Sequence, residues 1–156
     1  MGCREWENVR IGELIDSISE RFDSQKDKVV LINTSDLLDG KVFNHQYVDN
    51  NGLKGQFKKS FKAGDILYSE IRPINKRFAF IDFESSDYIA STKLMVLRRK
   101  DDRITQEYLY QILKNTSFIE RLQSIAESRS GTFPQITYTE LSLIDIELQT
   151  LPEQKS

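Results

Sequence analysis

The sequence predicts an α+β fold: a single, loop-rich domain in which a twisted, mostly antiparallel or mixed β-sheet is packed by one long and one short helix. Three observations lead there. Short β-branched or aromatic runs lie close together at 28–33, 66–69, 78–83 and 88–97, which favours antiparallel neighbours over long crossovers. One later stretch repeats apolar residues at helical spacing over about six turns. Finally, the 156 residues contain no internal repeat, low-complexity tract or Gly/Ser linker, and the three prolines (Pro73, Pro134, Pro152) fall outside the periodic segments.

Each element has its own signal. Ile11, Leu14, Ile15, Ile18 and Phe22 recur at i, i+3, i+4 spacing, so a short amphipathic helix is expected over 11–22. Val29 to Ile32 reads as a buried strand running into the turn Asn33-Thr34-Ser35-Asp36. Residues 39–64 hold Asp39-Gly40, Asn50-Asn51-Gly52 and Gly55 around isolated aromatics, and are expected to form an irregular insertion of the kind that carries function. Gly64-Asp65 then turns the chain into a strand at Ile66-Leu67-Tyr68-Ser69, with a loop at 72–77 and strands at 78–83 and 88–97. Leu109, Ile112, Leu113, Ile119, Leu122 and Ala126 predict one long helix over 105–127, capped by Thr105 and packed on the sheet. Beyond it lie the loop Ser130 to Ile136, a turn near 137–140 and a strand at 143–148 that should close the sheet.

Composition narrows the function classes. The lone Cys3 excludes an internal disulfide, and Cys3 with the single His45 gives too few soft ligands for structural zinc. No apolar run reaches the roughly 18 residues of a membrane helix, and the polar start lacks a signal-peptide core, so a cytoplasmic protein with no membrane partner is expected. Net charge is −2, which by itself argues against a phosphate-rich partner, but the charge is unevenly placed. Residues 54–77 carry seven cations against two acids, and 93–103 carry five against two, leaving the remainder of the chain at −10. Such a division suits a basic face toward phosphate and an acidic face toward protein, although basic strand ends on a solvated surface would give the same pattern.

No catalytic constellation emerges. There is no nucleophile-elbow serine and no phosphate-cradling glycine loop, and Asp65, Asp82, Glu84 and Asp87 lack the accompanying lysine that would make a nuclease-type metal cluster more than solvated strand ends. No metal, catalytic residue or cofactor is expected. Tyr68, Phe78, Phe80 and Phe83 alternate as sheet packing requires, so core is their expected role before base stacking. What remains are loop donors of the kinds that read base edges and clamp phosphates: Arg72, Asn75, Lys76, Arg77, Arg129, Thr132 and Gln135. In Ser130-Gly131-Thr132-Phe133-Pro134-Gln135-Ile136, Gly131 admits backbone angles closed to other residues and Pro134 fixes its own φ, which suits either a donor-rich reading loop or an ordinary surface turn.

Several segments together carry a family resemblance: Trp6-x-x-Val9-x-Ile11-Gly12-Glu13-Leu14, Gly64 to Ser69 with Arg72-Pro73, Ala90-Ser91-Thr92, Tyr108-Leu109-Tyr110 with Leu113, and Ser130 to Ile136. In this order they resemble the target recognition domain of the DNA-specificity subunit of type I restriction-modification enzymes. The resemblance implies a non-catalytic half-site reader of double-stranded DNA. It also implies docking to a methyltransferase (modification) subunit and, through it, to a restriction subunit; a homodimer is compatible with it. It places the recognition domain at 1–150 and the start of a spacer helix at 151–156, with Glu147 and Gln149 where the family commonly has prolines. The expected DNA-contacting groups are Lys54, Lys58, Lys59, Arg72, Asn75, Lys76, Arg77, Arg129, Ser130, Thr132 and Gln135. Lys58 and Lys59 are expected on phosphates, and Arg72, Lys76, Arg77 and Gln135 near base edges. The basic run 98–103 is expected at a strand end on the other side. A competing reading is a docking module for the methyltransferase subunit whose DNA affinity exists only in the assembly.

Overall fold

The computed structural model describes residues 7–22, 26–50, 57–128 and 134–148. In chain order the strands are β1 (Glu7–Arg10), β2 (Ile15–Ser17), β3 (Lys28–Ile32), β4 (Leu37–Leu38), β5 (Lys41–Val42), β6 (Tyr47–Asp49), β7 (Phe57–Lys59), β8 (Ile66–Ser69), β9 (Phe78–Phe80), β10 (Tyr88–Ser91), β11 (Leu94–Arg99) and β12 (Asp145–Leu148). Helices α1 (Gln106–Leu113), α2 (Thr116–Glu127) and α3 (Tyr138–Ser142) lie between β11 and β12, and 3-10 turns occupy Ile11–Glu13, Thr34–Asp36 and Pro73–Asn75. The fold class matches the sequence expectation. The strands form a central sheet β2-β11-β8-β9, a second sheet β6-β3-β10-β7, a ribbon β1-β12 and a hairpin β4-β5. Among the described strands every ladder is antiparallel except β3 with β10, so the arrangement is mixed.

The central sheet is buried on both faces, and the strand period sorts its residues between two cores. Ile66, Tyr68, Phe78, Met95 and Leu97 join Leu109, Leu113, Phe118, Ile119 and Leu122 of the helices and Val9, Ile146 and Leu148 of the ribbon. Their neighbours Leu67, Ala79, Leu94 and Val96 face the other way, onto Val30, Ile32, Tyr88 and Ala90 of the second sheet. This explains why Ile66-Leu67-Tyr68-Ser69 and Leu94 to Leu97 read as continuous apolar runs without alternation. Tyr68 and Phe78 stack with centroids 5.6 Å apart, and Tyr68 Oη donates to the Leu113 carbonyl at 2.7 Å, so these rings belong to the core as expected.

Several elements differ from the sequence expectation. Residues 11–22 are not a helix: a 3-10 turn is followed by β2, an edge strand on β11, and Ile18 extends that ladder by donating to the Val96 carbonyl at 2.7 Å. The i, i+3, i+4 spacing of Ile11, Leu14 and Ile15 is met because a tight turn entering a strand also puts all three in one core, and the β-branched residues favour the ladder. Gly12 permits the turn to lie on α3, where a Cβ would meet Ser142 Cβ at 2.7 Å and its carbonyl oxygen at 2.8 Å. The expected single helix over 105–127 is broken at Asn115, whose backbone is extended and whose side chain accepts from Phe118 N at 3.1 Å. Thr105 caps α1 as expected, accepting from Tyr108 N at 3.0 Å. The run 88–97 is two strands joined by a tight turn at Thr92-Lys93, and the turn near 137–140 is the capped helix α3. The last strand closes no large sheet and pairs with β1. The insertion 39–64 holds β5, β6 and β7.

Arg98 locks the end of β11 to the entry of β8. Its Nε and Nη2 donate to the two oxygens of Asp65 at 2.6 and 2.7 Å, and Asp65, 1% exposed, also accepts from Lys62 N at 2.9 Å. Asp65→Ala is expected to lower the unfolding free energy by about 2–3 kcal/mol, below the full value for a buried pair because Arg98 is partly exposed. A urea melt superimposable on that of the parent protein would refute this. Asn115→Ala should cost about 1 kcal/mol through the lost N-cap, read as a lowered thermal midpoint.

Candidate nucleic-acid interface

The carboxyl ends of β3, β8 and β10 and the amino ends of β7, β9 and β11 all lie at one end of the molecule, because β3 and β10 run parallel while β7, β8 and β9 pair antiparallel to their neighbours. The loop over 70–77 sits here. Its backbone is fixed from three sides. Arg72 N donates to the Pro134 carbonyl at 3.0 Å, Ile136 N donates to the Glu70 carbonyl at 2.7 Å, and Ile71 bridges Gln135, so the two loops expected to carry donors are joined. Ile74 N donates to Gln123 Oε1 of α2 at 3.1 Å, with Gln123 held in turn by Glu127. Asp39 N, at the tip of the β4-β5 hairpin, donates to the Lys76 carbonyl at 2.8 Å.

Within this frame a 3-10 turn at Pro73–Asn75 is flanked by two residues in left-handed conformation, Arg72 at φ 41° and Lys76 at φ 58°. Neither is glycine, and such positions cost of order 1–3 kcal/mol each, so they persist only where surrounding bonds hold them. Pro73 is buried beneath the turn, while Arg72, Ile74, Asn75 and Lys76 are exposed. Lys58 on β7 and Lys93 in the β10-β11 turn are exposed at the same end.

The expected residues thus fall into groups. Lys58, Arg72, Asn75, Lys76 and Gln135 are gathered at this end, and the side chains of Lys58, Arg72 and Lys76 make no ion pair among the described residues. Arg77 lies just inside it, its Nη1 donating to the Leu37 carbonyl at 2.9 Å, which ties the hairpin to β9. Lys59 is half-buried and donates to the Leu94 carbonyl at 2.9 Å. Burial pulls its ammonium below the ordinary lysine range against the opposing field of Glu70, and burial likewise pushes the Glu70 carboxyl up against Lys59 and Lys93. Lys54, Arg129, Ser130 and Thr132 lie outside the described residues, as do 151–156.

The basic run 98–103 lies at the opposite end of β11, as expected, and is neutralised. Arg98 pairs with Asp65 and Glu20, Arg99 with Asp102, Lys100 with Asp16, and Arg103 with Asp101 and Glu7. His45 is a loop residue, with Nδ1 2.6 Å from Tyr88 Oη and its ring edge-on to Phe83. Asp87, another member of the acidic set weighed from the sequence, is engaged by Lys26 and Tyr47.

The sequence reading missed the hairpin as an element of this end. Its signal is Asp39-Gly40 between Leu37-Leu38 and Lys41-Val42, and both turn residues take positive φ (47° and 99°), the requirement of the tight hairpin turn. Lys41 is exposed beside it.

Comparison with known proteins places this geometry in a family. A family model described as the type I restriction modification DNA specificity domain matches residues 4–156. The specificity subunit of the type I restriction enzyme HindI from Haemophilus influenzae is 41% identical over 145 residues, covering 92% of this chain and 32% of that protein. The crystal structure of the HsdS subunit from Thermoanaerobacter tengcongensis gives a TM-score of 0.81 at 24% identity, covering 96% of this chain and 39% of that one. The type I restriction-modification S subunit from M. genitalium gives 0.59 at 18%, covering 99% and 37%. At those identities the two structures speak to the fold alone, and the chain spans about a third of the length of the HindI subunit. By the family model and the 41% relative, the chain belongs to the type I restriction modification DNA specificity domain family.

Proposed function

We propose that this chain reads duplex DNA in a sequence-dependent manner, as one half-site reader of a type I restriction-modification specificity subunit, and that it performs no catalysis itself. One observation supports this above the rest. At one end of the molecule Lys58, Arg72 and Lys76 stand without carboxylate partners among the described residues on a backbone braced from behind, whereas the cations at the other end are consumed in ion pairs. Free cations on a fixed backbone attract phosphate without first breaking an internal pair, and a fixed backbone loses little entropy on binding. The named relative is a specificity subunit, which agrees.

In this reading Lys58 contacts phosphate, and Arg72, Asn75, Lys76 and Gln135 lie toward base edges, where Arg suits guanine and Asn or Gln suits adenine. Arg77 and Lys59 act from behind the surface: Arg77 sets the hairpin, and Lys59 adds to the local field. Lys54, Arg129, Ser130 and Thr132 remain in the proposed DNA-contacting set on residue type. The methyltransferase subunit and, through it, the restriction subunit are the protein partners, and the cytoplasm is the compartment. A groove of about 710 Å³ between the helices and the β1-β12 ribbon, lined by Tyr108, Ile112, Phe118 and Arg121, favours a second reading as a docking module.

Titration of DNA binding with salt separates the two. Affinity of the chain for duplex DNA should fall steeply with salt, and Lys58→Ala should weaken selected and random duplexes alike while lowering the magnitude of the log–log salt slope by about one. Arg72→Ala should instead cost about 1–3 kcal/mol on a selected duplex and little on random DNA. Binding indifferent to salt, or none at low salt, would remove direct reading by this chain and leave the docking module.

A further inference from the structure

The turn that carries Arg72 and Lys76 also carries an apolar side chain at its apex. The structure assigns to Ile74 a reading role: its side chain contacts the 5-methyl group of a thymine in the major groove, between the base edges that Arg72 and Lys76 approach. This assignment rests on the DNA-reading proposal above.

A lone exposed isoleucine is ordinary and needs no explanation. The setting of Ile74 is not ordinary. It is 46% exposed on a three-residue turn whose backbone has almost no freedom. Its own N–H is held by Gln123 at 3.1 Å, Asn75 N donates to the Arg72 carbonyl at 2.8 Å, Lys76 N to the Pro73 carbonyl at 3.0 Å, and Arg72 N to the Pro134 carbonyl at 3.0 Å. Two non-glycine residues in left-handed conformation, one immediately beyond each end of the turn, fix its direction. The β-branch restricts χ1 as well, so little side-chain freedom is lost on contact.

Charge complementarity identifies the occupant. Arg72 two residues before and Lys76 two residues after are exposed and make no ion pair among the described residues, and Lys41 and Lys58 are exposed at the same end. An apolar protein surface would leave these cations unmatched, whereas a DNA groove offers phosphate on both sides and bases between. On those bases the major groove exposes one methyl group, that of thymine.

The test begins with selection of bound duplexes from a random pool by the chain. Affinities of the parent and of Ile74→Ala are then measured on the selected duplex, on a random duplex, and on the selected duplex with each thymine replaced in turn by uracil, which removes only the methyl. The expected result is one position where uracil weakens the parent by roughly 5- to 10-fold, the low end of single-position effects, while Ile74→Ala is insensitive to the same replacement. Both proteins should bind the random duplex equally. A selected site without thymine, or parent and variant responding alike to every uracil, overturns the role of Ile74. The DNA-reading proposal survives that outcome if Lys58→Ala still weakens binding and flattens its salt dependence. A parent that binds neither duplex at low salt overturns both.

Discussion

Two-sided burial of the central sheet is the constraint on which the rest of the molecule depends. A sheet with Leu67, Leu94 and Val96 on one face and Tyr68, Met95 and Leu97 on the other has no face to offer water. It must be covered twice, by α1, α2 and the β1-β12 ribbon on one side and by the second sheet on the other. With both faces taken, its strand ends remain for function. Loops at those ends can carry polar and charged groups without exposing apolar strand surface, and the covering layers reach over to brace them. Gln123 of α2 holds Ile74, and the hairpin packed beside β9 holds Lys76. Burial in the middle thus turns an irregular loop into a defined shape.

The strands with the densest apolar runs were legible in the sequence for this reason: a doubly buried strand leaves an unbroken signature, and β3, β8 and β11 lie where that signature stands. Elements whose identity depends on a partner were not. Ile11, Leu14 and Ile15 satisfy a helical period and a turn-into-strand equally, and pairing of β2 with β11 decides between them. The break at Asn115 turns on one cap inside an otherwise continuous apolar stripe. In the candidate site, residue types were legible and their states were not. Arg77 and Arg72 look alike in sequence, yet one guanidinium is engaged with Leu37 while the other residue is exposed and makes no ion pair among the described residues, a difference set by a hairpin forty residues away. The joining of 70–72 to 134–136 likewise follows from long-range backbone bonds that no local pattern encodes.

The same separation of ends lets a chain of net charge −2 present a locally cationic surface. What a phosphate feels is the charge within about a screening length, near 8 Å at physiological ionic strength, and not the formal total. β11 runs from the end that carries Arg72 and Lys76, at Leu94, to the paired end at Arg99, six residues or about 17 Å at about 3.4 Å per residue. That is roughly twice the screening length, so acids gathered around Arg98, Lys100 and Arg103 do little to cancel the field at Arg72 and Lys76. Their effect is local: they occupy the far cations in ion pairs and leave the end with the rigid turn as the more cationic surface. Electrostatic polarity and loop rigidity therefore have one origin, the strands of a sheet that can open to solvent only at its ends.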